Sequence, residues 1–284
     1  MHIRIGFFAS LVVIVLVQAG MAEAQTNDQS GLCSGRITGV TSDARVAACT
    51  ALINSGKYTG KNLAIAYNNR CSWNAKSTND AASKGAIEDC TRAIALDPGY
   101  AKAYYNRGLA HYTRRDYDRA IQDSGEAIKR EPNYFSAYDN RASAYSDKGD
   151  HDHAILDYNQ SLRINPKDPI SLNNRCDEFA LLGQYLAARL DCDESLRIRP
   201  DHQNTLKHRA WVLLALGKFD DALADYANLL RQNAKDDIGL YGRGTAKLKK
   251  GDVAGANEDL AAAKALNQNI DKEFWRYGKP AEAK

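Results

Sequence analysis

Residues 135–168 read FSAYDNRASAYSDKGDHDHAILDYNQSLRINPKD, and this stretch of 34 residues sets the pattern for most of the chain. An arginine equivalent to Arg141 returns every 34 residues from Arg107 to Arg243. Alanines, aspartates and prolines keep the same spacing. A fixed period of this length indicates a solenoid built from repeated supersecondary units.

Each unit reads as two helices joined by a turn when Ala101 is taken as position 1. Inner residues at positions 4, 8 and 11 form one stripe of a first helix, and apolar residues at 17, 20, 21, 24 and 28 form one stripe of a second. A glycine-containing turn is expected at positions 14–16, as in Lys148-Gly149-Asp150. A proline at position 32 ends the second helix. Neither helix can bury its stripe alone, so neighbouring units are expected to stack.

The pattern resembles the tetratricopeptide repeat, whose motif has an aromatic residue at position 4, small residues at 8, 20 and 27, and proline at 32. The resemblance covers about residues 62–270 as six units. It implies an all-α fold, a helix-turn-helix solenoid winding as a right-handed superhelix, with a C-terminal capping helix. The first unit departs from the motif by a three-residue insertion within 77–83, and the last two units lack the proline.

The segments outside the repeats have their own predicted roles. Residues 25–61 are expected to form an N-terminal capping segment with a partial repeat. Residues 271–284 are expected to form a C-terminal cap and tail, in which Phe274, Trp275 and Tyr277 cover the last unit.

Position 7 is often leucine in this family, but here it is arginine in all six units, and position 23 is aspartate in all six. One interpretation is a ladder of Arg–Asp pairs that links adjacent helices. The alternative is a row of arginines that binds anions. One aspartate for each arginine leaves no excess positive charge, which favours the ladder.

The six cysteines follow the repeat register. Cys176 and Cys192 occupy positions 8 and 24 of one unit, and both positions face the contact between its two helices. The same register predicts three disulfides: Cys33–Cys49, Cys71–Cys90 and Cys176–Cys192. The alternative is three pairs of buried free thiols. An even cysteine count and the N-terminal signal peptide described next both agree with oxidation of the cysteines.

The first 24 residues have the features of a secretory signal peptide. Arg4 precedes an apolar run at 7–17, and Ala22-Glu23-Ala24 offers a small-x-small cleavage site. The run is short for a membrane-spanning helix, which needs about 20 residues. We therefore expect cleavage after Ala24, a periplasmic or secreted mature protein, and no stable membrane insertion afterwards.

Composition and motifs argue against several other functions. The chain has 284 residues, with 38 Lys+Arg against 35 Asp+Glu, and a net charge of +3 is too small for a basic nucleic-acid-binding surface. No hydrolase, nucleotide-binding or metalloprotease motif is present in the sequence. His151 and His153 lie beside the turn between helices and are not expected to hold a metal. His111 is expected in the core. The sequence therefore predicts no enzyme, no cofactor and no metal.

The remaining candidate is a binding surface on the first helices. In this family, positions 2, 5, 6, 9, 12 and 13 line a groove that holds peptides. Position 6 is asparagine in four consecutive units, and a side-chain amide can pair with any peptide backbone; the alternative is that these amides pair only with a neighbouring helix. The resemblance implies these groove residues: Lys102, Tyr105, Asn106, Tyr112, Asp139, Asn140, Asn173, Asn174, Asp177, Lys207, His208 and Trp211.

The sequence thus predicts a non-catalytic scaffold of the bacterial cell envelope that binds a protein or peptide of unidentified sequence. Two alternatives stay open: an assembly factor for an envelope secretion or polysaccharide-export complex, and a protein that binds a small ligand or glycan.

Overall fold

The computed structural model describes residues 28–274, and within this part all regular secondary structure is α-helical. The helices are α1 (28–34), α2 (Ser42–Asn54), α3 (Gly60–Asn74), α4 (Asp80–Leu96), α5 (Ala101–Thr113), α6 (Tyr117–Arg130), α7 (Phe135–Asp147), α8 (His151–Ile164), α9 (Pro169–Leu181), α10 (Tyr185–Ile198), α11 (Gln203–Ala215), α12 (Phe219–Gln232), α13 (Asp237–Lys249), α14 (Val253–Leu266) and α15 (Ile270–Phe274). The predicted all-α repeat fold is confirmed. The predicted signal peptide, together with Trp275 and Tyr277, lies outside the described residues.

The chain divides into two compact units, one ending at Pro132 and the other beginning at Asn133. The first unit contains α1–α6, in which α3 packs on α4 and α5 on α6. The second unit contains α7–α15, in which four consecutive helix pairs run from α7–α8 to α13–α14 and α15 packs on α13.

The turn inside five of the helix pairs, from α5–α6 to α13–α14, has a left-handed backbone at position 15. Gly149, Gly183, Gly217 and Gly251 supply it, with φ between 71° and 87°. Glycine adopts this conformation at little cost because it has no Cβ. Arg115 takes the same place in α5–α6 with φ of 61°, and it is the one non-glycine residue with positive φ among residues 28–274. The glycine turn predicted from the sequence is therefore present in four pairs, and arginine replaces it in a fifth.

Small side chains let the two helices of a pair approach closely. Position 8 holds Gly108, Ala142, Cys176, Ala210 and Gly244, and all five are buried. A Cβ added at Gly108 would meet the carbonyl oxygen of Ala120 at 3.2 Å. Alanine is accordingly the most frequent residue of the core, followed by leucine and the six cysteines. The largest cluster of bulky side chains lies in the second unit and includes Trp211, Tyr226 and Phe274.

Each of three disulfides joins the two helices of one pair. They connect the same cysteines that the repeat register predicts to be bonded. Cys71–Cys90 and Cys176–Cys192 each have a Cα–Cα distance of 5.6 Å, and Cys33–Cys49 has one of 4.7 Å. All six cysteines are almost fully buried.

The N-terminal pair is also held to α3 by a tryptophan. Trp73 donates its indole N–H to the carbonyl oxygen of Cys33 at 3.0 Å, and the guanidinium of Arg45 lies 4.5 Å from the Trp73 ring. Over residues 28–274, the structure shows no helix long and apolar enough to span a membrane.

Candidate binding surface

Each arginine at position 7 forms a bidentate ion pair with the aspartate at position 23 of its own helix pair. Nε and Nη2 of Arg175 donate to the two carboxylate oxygens of Asp191, each at 2.7 Å. The other five pairs have the same geometry: Arg70–Asp89, Arg107–Asp123, Arg141–Asp157, Arg209–Asp225 and Arg243–Asp259. The geometry supports the ladder, because two N–H groups of every arginine already face a carboxylate.

The electrostatics of the ladder agree with this geometry. Hydrogen bonding to the paired carboxylate raises the pKa of five of the arginines, although burial opposes the rise. The affected residues are Arg70, Arg107, Arg141, Arg209 and Arg243.

Four of these arginines also donate a hydrogen bond to the preceding helix pair. The sequence did not predict this contact. Nη1 of Arg107 donates to Thr91, Nη1 of Arg175 to Asn159 and Nη1 of Arg209 to Asp193, at 2.7–3.2 Å. These acceptors all occupy position 25, and Nη1 of Arg70 donates to Thr50 in the same way. A polar residue at position 25 was the signal in the sequence. The ladder therefore joins successive pairs as well as the two helices of one pair.

A second polar pattern connects position 5 of one pair with position 34, the last residue before the next pair. Asn68 donates to the hydroxyl of Tyr100 at 3.1 Å, and Lys207 forms an ion pair with Asp236 at 2.8 Å. For two other pairs, a hydroxyl at position 3 of the next pair lies between the side chains at positions 5 and 34. Ser171 lies between Asp139 and Asp168, and Thr205 lies between Asn173 and His202. In these four pairs position 5 makes contacts between repeats, and its role in binding a ligand stays a prediction.

Two of the asparagines at position 6, Asn106 and Asn174, have side-chain partners within the protein. Asn106 donates to Asn68 of the preceding pair at 2.9 Å, and Asn174 accepts from Asn173 at 3.1 Å. Asn106 is 9% exposed and Asn140 is 7% exposed. The contact of Asn106 is the one described by the alternative interpretation, in which the amide pairs with a neighbouring helix.

Three predicted groove residues meet around one pocket in the second unit. Lys207, His208 and Trp211 of α11 line a cavity of about 550 Å³ together with Asn204, Ile238, Glu273 and Phe274. A volume of this size is within the range of ligand sites. The pocket lies where α11, α13 and the short helix α15 meet, so its wall includes residues from outside the repeat pattern.

The floor and rim of this pocket differ in character. Trp211 and Phe274 are 2% and 3% exposed, so they form the floor. The ring of Phe274 packs at a tilt against Tyr241, with ring centroids 5.0 Å apart. Ile238 forms an apolar wall.

The charged groups of the rim have partners. Lys207 is paired with Asp236, His208 Nε2 lies 3.6 Å from Asp177, and Glu273 accepts from Asn267 at 2.9 Å. The pocket is therefore an apolar cleft with a polar, internally paired rim.

The other predicted groove residues lie elsewhere. Lys102 is exposed, while Tyr105 and Tyr112 are half-buried, and all three belong to the first unit. Tyr112 packs on Tyr117 with ring centroids 5.7 Å apart. Asp139 and Asn173 belong to the second unit and serve the repeat contacts described above. The structure thus brings Lys207, His208 and Trp211 together around one pocket, with Asp177 beside His208.

The histidines that the sequence analysis considered have structural partners. His151 Nδ1 lies 2.8 Å from a carboxylate oxygen of Glu178, which is itself 2% exposed, and burial raises the pKa of Glu178. His111 is buried, as predicted, and burial lowers its pKa. Within residues 28–274, no three histidine, cysteine, aspartate or glutamate side chains group in a way that would hold a metal ion.

Comparisons with known proteins agree with the repeat pattern. Residues 101–134, 135–168 and 209–269 each match a family model described as the tetratricopeptide repeat. A search of curated proteins finds no match to this chain.

Several solved structures share the fold at low sequence identity. YrrB, described as a TPR protein with an unusual peptide-binding site, is 18% identical with a TM-score of 0.57, over 64% of this chain and 94% of YrrB. A tetratricopeptide repeat protein from Parabacteroides merdae is 15% identical with a TM-score of 0.58, over 83% of this chain and 92% of that protein. MamA from Desulfovibrio magneticus is 15% identical with a TM-score of 0.55, over 60% of this chain and 97% of that chain. At such identities the similarity shows the fold alone.

Proposed function

Because the chain is a tetratricopeptide-repeat protein, we propose that it is a non-catalytic scaffold of the cell envelope that binds a peptide or protein segment on its first helices. Repeats of this fold typically form protein-binding scaffolds, and one structural neighbour is described as having a peptide-binding site. The observation that carries the proposal is the pocket at α11, α13 and α15.

The pocket suits an apolar side chain presented by an extended peptide. Its floor of Trp211 and Phe274 and its wall at Ile238 offer apolar contact. Lys207 already neutralises Asp236, so the pocket does not carry an isolated buried charge that a ligand must match. Asn204 is an exposed amide at the rim, where it can pair with a peptide backbone. A bound side chain would act as an anchor while the rim pairs with the chain around it.

The disulfides support the proposed compartment. Three disulfides occur among residues 28–274, and structural disulfides persist in oxidising compartments. A periplasmic or secreted location, reached with the signal peptide of residues 1–24, therefore belongs to the proposal.

The test should block the pocket without disturbing the core. Trp211 is a poor target, because truncating a side chain with 2% exposure leaves a cavity that costs stability. Asn204→Arg is better, because Asn204 is exposed and the longer side chain would occupy the pocket mouth. Asn257→Arg makes the same change at an exposed position on α14, away from the pocket, and is the matched control.

Both variants and the unaltered protein would be probed with an array of peptides of varied sequence. We expect the unaltered protein and Asn257→Arg to bind the same peptides, which share an apolar residue, and Asn204→Arg to lose them. Equal binding by Asn204→Arg would refute this pocket as the site. No peptide binding by any of the three would refute the peptide-binding proposal.

A further inference from the structure

One serine hydroxyl in the second unit stands between two carboxylates. Ser171 Oγ lies 2.8 Å from Asp139 Oδ1 and 2.8 Å from Asp168 Oδ2, and it lies 3.2 Å from Ser161 Oγ. Ser161 also hydrogen bonds to Asp139. Ser161 and Ser171 are both 0% exposed. Each of these short contacts needs a proton, and a serine hydroxyl supplies only one.

The number of protons available to these contacts determines whether both aspartates can be ionised. If both aspartates were ionised, Ser171 could donate to one of them, and the other 2.8 Å contact would bring oxygen lone pairs together without a proton. If one carboxyl keeps its proton, it donates to Ser171 and Ser171 donates to the other carboxylate. Both 2.8 Å contacts of Ser171 are then hydrogen bonds.

Asp168 is the carboxyl that stays ionised. It is the N-cap of α9 and also accepts the backbone N–H of Ser171 at 2.7 Å. Hydrogen bonds from backbone N–H groups and the positive end of a helix dipole both stabilise an anion. Asp139 lies inside α7 and has no such support, so the proton belongs on Asp139.

We propose that Asp139, Ser171 and Asp168 form a proton-binding site that stabilises the contact between α7 and α9 while Asp139 is protonated and weakens it when Asp139 ionises. The site makes the folding of the second unit pH-dependent. Because Asp139 is also at position 5 of a first helix, its ionisation changes the charge of that helix between mildly acidic and neutral conditions.

The charged surroundings of Asp139 agree with a retained proton. From α8 the charged group facing it is Asp157, which is already ion-paired with Arg141 of α7, and from the segment before α9 it is Asp168. No cation among these neighbours is left to compensate Asp139. Burial raises the pKa of Asp139 to about 6; the hydrogen bonds from Ser161 and Ser171 lower it, and the charges of Asp168 and Asp157 raise it further.

The next helix pair contains a natural counterpart without the second carboxylate. There Asn173 replaces Asp139, Thr205 replaces Ser171, and His202 replaces Asp168. Thr205 donates to Asn173 at 2.9 Å, and His202 Nδ1 lies 2.7 Å from the same hydroxyl, where it can supply its own proton. This site needs no extra proton, so it provides a control within the same chain.

The direction of the pH effect follows from the raised pKa. Between the ordinary value of 3.8 and about 6, the native protein holds a proton that the unfolded chain has released. Stability from this site is therefore fully present below about pH 4 and is lost as pH rises through about 6. A shift of this size changes the folding equilibrium by about a hundredfold over that window.

The experiment compares reciprocal substitutions. Urea unfolding of the full chain would be measured from about pH 4 to pH 8 for the unaltered protein, Asp139→Asn and Asn173→Asp. We expect Asp139→Asn to gain relative stability as pH rises, approaching about a hundredfold in the folding equilibrium above pH 6. Asn173→Asp should show a smaller change with pH than the unaltered site at Asp139, because His202 rather than a second carboxylate faces the hydroxyl of Thr205. A difference between Asp139→Asn and the unaltered protein that does not vary with pH would overturn the proposal.

A direct titration keeps the proposal testable if a variant fails to fold. The carboxyl carbon of Asp139 in the unaltered, isotope-labelled protein would be followed by nuclear magnetic resonance as pH is varied. A midpoint near pH 6 is expected, and a midpoint near the ordinary value of 3.8 would overturn the assignment of the proton to Asp139.

Discussion

The same substitution, glycine to alanine, is expected to have opposite effects at two helical positions of this chain. Gly242 lies inside α13 against the ring of Tyr226, a fully buried side chain of α12. A Cβ at Gly242 would lie 2.5 Å from Cε1 of that ring, closer than any real Cβ contact. Gly85 lies inside α4, and a Cβ there would meet nothing within 4 Å.

The magnitudes follow from these two environments. At both positions alanine gains about 0.5–1 kcal/mol from helix propensity and lower chain entropy. At Gly242 the ring of Tyr226 must leave its site, and losing a buried aromatic side chain costs about 3–5 kcal/mol. Gly242→Ala should therefore destabilise the protein by about 2–4 kcal/mol, whereas Gly85→Ala should stabilise it by up to about 1 kcal/mol.

The assay is urea unfolding followed by circular dichroism, with both variants and the unaltered protein measured together. Tyr226 belongs to the same cluster as Trp211 and Phe274, so Gly242→Ala should also disturb the pocket floor. If Gly242→Ala were as stable as the unaltered protein, the ring of Tyr226 would not require a residue without a side chain at position 242, and the reasoning would be refuted.

Two further predictions concern the covalent and ionic links between helices. The purified, unreduced protein should show no free thiol when alkylated in denaturant, and replacing Cys176 and Cys192 together by alanine should cost about 3 kcal/mol, as measured by urea unfolding; labelling of six thiols would contradict the disulfides. Asp259→Asn should destabilise more than Asp225→Asn in the same assay, each by about 1–3 kcal/mol, because Arg243 and Lys247 both lose their anion at Asp259 whereas Arg209 keeps Asp193; equal losses would show that the second acceptor at Asp193 contributes nothing.

The sequence by itself determined the features that repeat with the 34-residue period. The helix pairs, the glycine turns at position 15, the Arg–Asp pairs and the cysteine register all follow from spacing along the chain. These features depend on contacts within one pair or between neighbouring pairs. A strict period brings the same positions together each time, so one unit indicates the contacts of the others.

Only the tertiary structure decided which predicted groove residues are buried in contacts within the protein. Asn106 and Asn173 occupy groove positions in the sequence, yet their amides are buried in contacts between repeats. The pocket at Lys207, His208 and Trp211 depends on Glu273 and Phe274 from α15, which have no place in the repeat pattern. The proton site depends on Ser171 meeting Asp139 and Asp168 from two other parts of the fold. The burial of a side chain and its protonation state depend on every group that surrounds it. Spacing along the chain predicts only those neighbours that follow the repeat period.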